Sequence, residues 1–181
     1  PGSQSDISPT EYIFKWLNDT EITLTHRNVT KISLDQIFIT PDLEIKNETR
    51  KDDLKSYYDA NDILTRWDEI LIVAEEQQGK ASLLKYYYKD ELINGFLPLY
   101  IDGNEIKKSN VQELIGEQLI KQYTNINYED YIAFNKGVIL LDNVDKIGLN
   151  PKFRDIFLNT LNETFKRKIY TSRIAYLLII N

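Results

Sequence analysis

Gly79 and Lys80 stand where a short apolar run gives way to a segment with helical spacing, and that placement could do chemistry on phosphate. A nucleoside triphosphate needs backbone N–H groups curled around its phosphates, a helix N-terminus aimed at them, and a lysine on the outer phosphates. The pattern G-x-x-x-x-G-K-[ST], placed between a strand and a helix, delivers all three. The matching stretch is Ala74-Glu75-Glu76-Gln77-Gln78-Gly79-Lys80-Ala81. Its second glycine and its lysine are present. Ala74 replaces the first glycine, and Ala81 stands where a hydroxyl would ligate magnesium. Ser82 follows one residue later, about a hundred degrees around a helix, and substitutes poorly unless the loop shifts. Glu75 and Glu76 repel phosphate unless they point outward. A bare Gly-Lys pair recurs by chance in many chains, so its position at a strand's end carries the weight.

Two carboxylates extend the pattern. Val138-Ile139-Leu140-Leu141-Asp142 puts an acid at the tip of an apolar run, and Asp145 follows three residues later. Phosphoryl-transfer sites hold Mg²⁺ through such an acid, and a second one nearby orients the attacking water. Alone, Asp142 reads as a turn starter and Asp145 as a solvated charge; beside the Lys80 unit, the functional reading is the stronger.

These residues need a scaffold, and residues 67–181 supply an α/β pattern. Ile70-Leu71-Ile72-Val73-Ala74 reads as a strand buried on both faces, and residues 80–88 as the helix after it. Further strands are expected over 96–101, 138–142, 168–172 and 175–180, with helices over 111–123 and 151–165, the last with Pro151 at its first position. Strands alternating with helices imply parallel pairing and right-handed crossovers. The expected fold is therefore a parallel-sheet P-loop NTPase core flanked by helices.

Residues 4–66 read as a small, mostly helical N-terminal extension, and Pro1-Gly2-Ser3 as a protease-cleavage scar. Thr10 caps a helix through Leu17. Residues 22–40 alternate polar and apolar side chains, so Ile32, Leu34, Ile37 and Ile39 suggest short extended pieces. Pro41 marks a turn or extended crossing, residues 46–53 an exposed loop, and a second helix starts at Asp53 and includes Tyr57, Tyr58, Ile63 and Leu64. In Tyr86-Tyr87-Tyr88 one or two rings are expected in the core and the remainder at the surface.

Composition narrows the chemistry. The 181 residues contain no cysteine and one histidine, which removes disulfides, thiolate zinc sites, cysteine nucleophiles and multi-histidine metal cages. His26 reads as a surface or capping histidine. The net charge of −6 argues against coating nucleic acid, so no direct nucleic-acid binding is expected. No apolar run reaches membrane-spanning length and no signal peptide is visible, which points to no membrane and a cytoplasmic location. Asn-x-Thr sequons at Asn18, Asn28, Asn47 and Asn162 carry no meaning without secretion.

The run of residues 72–84 resembles the phosphate loop of the STAND class of NTPases, NACHT-like bacterial members especially. Gly137-Val138-Ile139-Leu140-Leu141-Asp142-Asn143-Val144-Asp145 is similar to the family's acidic strand, and Ile169-Tyr170-Thr171-Ser172-Arg173 to its strand ending in a basic sensor. The segment 34–43 is similar to the stretch that precedes such domains. The resemblance spans about residues 10–175, though only the three short motifs are specific. It implies Gly79 and Lys80 at the phosphates of ATP or GTP, Asp142 at Mg²⁺, Asp145 near the attacking water, and Arg173 sensing the γ-phosphate; Ser82 joins Gly79 and Lys80 as a candidate cofactor-binding residue from the loop's own spacing. It also implies a nucleotide-dependent switch in signalling or defence that acts on a protein partner or by self-association. Ala74 and Ala81 depart from the pattern and point to weak or no hydrolysis. A pseudo-NTPase scaffold and a protein-interaction module are the alternatives. Family members continue into closing subdomains, so a fragment or truncated relative is expected.

Overall fold

The computed structural model describes residues 7–20, 33–45 and 56–174. His26, the sequons at Asn28 and Asn47, the alternating residues 22–32, the loop 46–53 and the strand expected over 175–180 lie outside them.

Helix α1 (Glu11–Asn18) starts where Thr10 leaves helical geometry, and its apolar face buries Ile13 and Leu17. Leu34 and Ile37, expected in extended pieces, instead form one helical turn, α2 (Leu34–Ile37). The Gln36 side chain accepts the Ser33 N–H at 3.0 Å, a local bond that outweighs the polar–apolar alternation. Strand β1 (Asp42–Ile45) pairs antiparallel with β2 (Ser56–Asp59). The helix expected from Asp53 is thus corrected to a strand followed by a shorter helix, α3 (Ala60–Arg66). Tyr57 and Tyr58 find cross-strand partners in Glu44 and Leu43, which suits aromatic residues on a pleated surface. Asp59 then accepts the Asn61 N–H at 2.8 Å and so fixes the helix start.

Four parallel strands form the main sheet: β3 (Glu69–Val73), β4 (Leu97–Asp102), β5 (Gly137–Asp142) and β6 (Arg167–Ser172), in the order β3-β6-β5-β4. Helices α4 (Lys80–Ile93), α5 (Val111–Gln122), α6 (Tyr128–Phe134) and α7 (Pro151–Thr164) connect them, which gives the expected mixed α/β core with a parallel sheet. From β3 the chain crosses to the far edge at β4, then returns through β5 to β6 beside β3. The expectation that residues 70–74 are buried on both faces is corrected. Ile72 is buried, but Glu69 and Val73 are exposed, because β3 has a strand neighbour on one side only among the described residues. Continuous burial belongs to the interior strands β5 and β6.

The other edge, β4, is finished by side chains. Gln122 accepts the Tyr100 N–H at 3.0 Å and donates to the Tyr100 carbonyl at 2.6 Å, standing in for a neighbouring strand. Pro98 has no N–H to satisfy, and its carbonyl accepts from the Tyr123 hydroxyl at 2.6 Å. Helix α1 joins the same core through Ile13 and Leu17, and Trp16 lies 4.1 Å from Tyr100, centroid to centroid. Of the tyrosine triplet, Tyr87 and Tyr88 are fully buried, while half-buried Tyr86 stacks on Phe38 at 5.3 Å. Among the described residues no helix is long and apolar enough to cross a membrane.

Candidate functional site

In a parallel sheet the carboxyl ends of all strands share one edge, and the crevice outside that edge is where such folds bind ligands. Val73, Asp102, Asp142 and Ser172 end their strands there, with Val73 in register with Ser172 and Asp102 with Asp142. The Ala74 N–H donates to the Ser172 carbonyl at 3.1 Å, which ties the loop after β3 to the tip of β6.

That loop turns sharply. Gln77 (φ 63°) and Gly79 (φ 81°) are both left-handed. A Cβ on Gly79 would meet nothing within 4 Å, so glycine is favoured there by the dihedral angle rather than by space. Gly79 opens α4, whose first N–H groups have no partner inside the helix and carry the positive end of its dipole. The Lys80 ammonium folds back to donate to the carbonyls of Ala74 at 2.5 Å and Glu75 at 2.6 Å. The Glu75 N–H donates to the Gln78 side chain at 2.9 Å. Ser82, half-buried on the first turn of α4, takes part in none of these contacts.

Asp142 is only 5% exposed. Its Oδ1 accepts from the Thr171 hydroxyl and, at 2.9 Å, from the Asn143 N–H; Oδ2 accepts from the Tyr100 hydroxyl at 3.3 Å. Burial pushes its carboxyl above the usual range, the Thr171 hydrogen bond pulls it back, and neighbouring Asp102 raises it further. The same burial, with Asp142 and Asp102 beside it, raises the Tyr100 hydroxyl. Asn143 (φ 52°) turns the chain out of β5, and its amide reaches Asp102 at 3.3 Å. A Cβ on Gly103 would sit 2.3 Å from the Asn143 carbonyl oxygen, so the tips of β4 and β5 touch at a position only glycine allows.

Asp145 lies in the 3₁₀ turn Val144–Lys146 and is held against β6. Its Oδ1 accepts from the Arg173 N–H at 3.1 Å and the Ser172 hydroxyl at 3.3 Å. The Arg173 side chain reaches Glu76 of the loop at 3.6 Å, and Lys146 reaches the same carboxylate oxygen at 3.3 Å. The structure therefore brings Asp145 and Arg173 together, links Arg173 to the loop through Glu76, and keeps Lys80 on the loop's own carbonyls.

Among the described residues no cluster of three or more acidic or histidine side chains could hold a metal alone. Mg²⁺ with a nucleotide asks for less: one or two carboxylates, phosphate oxygens and waters. Among the described residues Asp142 Oδ2 is engaged only by the long Tyr100 bond and has acceptor capacity left, and Asp102 ends the adjacent strand. These two residues could hold such an ion, which would there neutralise charge developing on phosphate oxygens. Ala81 supplies no hydroxyl to it.

Sequence reasoning missed Thr171, Tyr100, Asn143, Lys146 and Asp102 as neighbours of the site. A signal existed for Asp102-Gly103, since β4 ends on an acid as β5 does. No protein-family model matches the chain, and no curated protein matches it either.

Proposed function

We propose that this domain binds a nucleoside triphosphate, ATP or GTP with Mg²⁺, at the carboxyl edge of its parallel sheet. Binding acts as a conformational switch with weak or no hydrolysis. The observation that carries this reading is the left-handed Gly79 opening α4, with Lys80 beside it at the edge where Asp142 and Asp145 also stand. Gly79 and Lys80 take the phosphates, assisted by the first N–H groups of α4 through Ser82. Asp142 faces the metal, Asp145 a water, and Arg173 the outermost phosphate. Turnover is weak because Ala81 gives the metal no ligand and because Asp145 is already engaged by Ser172 and Arg173. By the sequence resemblance, the switch belongs to a STAND-like, NACHT-like cytoplasmic signalling or antiviral-defence protein and acts on a protein partner or a second copy of itself.

One observation favours the second reading, a scaffold that no longer binds nucleotide. Lys80 and Asp142 both have hydrogen-bond partners within the protein. Thermal melting separates the two, because a ligand that binds only the folded state raises the melting temperature by mass action. Millimolar ATP or GTP with Mg²⁺ is expected to raise the melting temperature of the wild type and leave that of Lys80→Ala unmoved. No shift in either protein favours the scaffold.

A further inference from the structure

Glu76 is the loop carboxylate that ought to repel a phosphate, yet it makes the loop's only cross-strand ion pairs among the described residues. One of its oxygens, Oε1, lies 3.3 Å from the Lys146 ammonium and 3.6 Å from the Arg173 guanidinium. The two cations come from different strand ends: Lys146 follows β5 and Arg173 follows β6. Both are therefore anchored on the sheet, while Glu76 rides on the turn between Ala74 and Gly79. The side chains are open to solvent, 37% exposed for Lys146, 47% for Arg173 and 62% for Glu76, so a ligand can reach the trio.

We infer that Lys146 and Arg173 form a two-cation receptor for the terminal phosphate of a triphosphate, and that Glu76 is the internal anion which that phosphate must displace. The inference rests on the nucleotide-binding reading above and adds to it a specificity determinant. A single anion already bridges two cations that extend from the sheet, so the geometry accepts one more strongly charged oxygen group in the same place. Exposed ion pairs of this kind are individually weak, which makes Glu76 displaceable rather than a permanent block. A phosphate carries more charge and more acceptor oxygens than a carboxylate and competes well for a guanidinium and an ammonium. Asp145 supports the arrangement from behind by holding the Arg173 backbone at 3.1 Å. A diphosphate that ends at Lys80 and the helix N-terminus leaves Glu76 in its ion pairs. The trio thus discriminates by phosphate number, a job the degenerate loop sequence does not otherwise perform.

The test is a calorimetric titration of ATP and ADP, each with Mg²⁺, into wild type, Glu76→Gln and Lys146→Ala. Melting each variant without nucleotide confirms that these exposed substitutions leave the fold intact. Glu76→Gln keeps the shape and removes the competing charge. It is expected to tighten ATP roughly three- to tenfold, the sum of two exposed ion pairs, with ADP changed less than twofold. Lys146→Ala is expected to weaken ATP several-fold and spare ADP. Equal effects on ATP and ADP, or an ATP affinity that Glu76→Gln leaves unchanged or lowers, overturn this inference while Lys80-dependent binding leaves the nucleotide reading standing. No binding by wild type and Glu76→Gln alike overturns both.

Discussion

At the scale of single residues, the buried acid at the tip of β5 is held by groups distant in sequence. Thr171 contributes a hydroxyl that donates to Asp142 and also accepts the Asn143 N–H at 3.1 Å. Thr171→Val keeps the shape and takes one hydrogen bond from each partner, leaving Asp142 and the Asn143 N–H bonded to each other. The expected loss is about 1–3 kcal/mol of stability, read by urea denaturation, because a buried polar group that loses its bond incurs its desolvation cost. A loss below a few tenths would show that Asp142 draws its support elsewhere. The places of Gly79 and Lys80 at the start of α4 and of Asp142 at the tip of β5 were legible in the sequence, because each sits where one residue pattern changes to another. Their partners were not legible. Tyr100, Thr171 and Lys146 become neighbours only once the strands are ordered side by side, which nothing local in the chain specifies.

At the scale of elements, the segments from Glu69 to Ser172 other than α6 were readable because each is long enough to show its period, while the seven residues of α6 were missed. The N-terminal elements were not. Four residues of α2 cannot display a helical repeat, and the Tyr57-Tyr58 pair fits a helix face as well as a strand. Helix α6 carries its signal in its cap: Asn127 accepts the Asp130 N–H at 2.8 Å, a local bond visible as Asn-x-x-Asp before an apolar pair. The junction of β4 and β5 gives the sharpest element-level prediction. Gly103→Ala places a methyl group on backbone atoms of Asp142 and Asn143 that have no side-chain freedom to retreat. It is expected to cost about 1–3 kcal/mol and to weaken nucleotide binding, since the Asp142 tip must move. A variant as stable as wild type, with unchanged affinity, would mean the two strand tips are not in close contact.

At the scale of the whole molecule, the end opposite the site is closed by a buried ion pair. Glu91 of α4, 1% exposed, meets Arg167 of β6 at 2.9 Å, and Arg167 also donates to the Leu64 carbonyl of α3 at 2.5 Å. One side chain thereby ties three elements together beneath the sheet. Burial pushes the Glu91 carboxyl up to about 7, against the pull of Arg167 and with Asp90 adding to the rise. The folded chain therefore keeps a proton that the unfolded chain releases near 4.5. The stability this contributes is complete below that value and is lost as pH climbs through about 7. Glu91→Gln, neutral at every pH, is expected to flatten the decline between pH 5 and 8, a difference on the order of 1–3 kcal/mol in denaturation experiments. Parallel slopes in wild type and variant would refute it. Strand order and the merging of α1 into the core through Ile13 and Leu17 were likewise beyond sequence reading, because both are decided by which apolar faces meet.

Nucleotide binding by Lys80 and the edge around it is the proposal on which the switch depends, and calorimetric titration of ATP with Mg²⁺ decides it. Saturable micromolar binding, about −8 kcal/mol, at one site per chain and abolished by Lys80→Ala, is the expected result. Absence of heat at millimolar nucleotide, or binding that Lys80→Ala leaves intact, would contradict it.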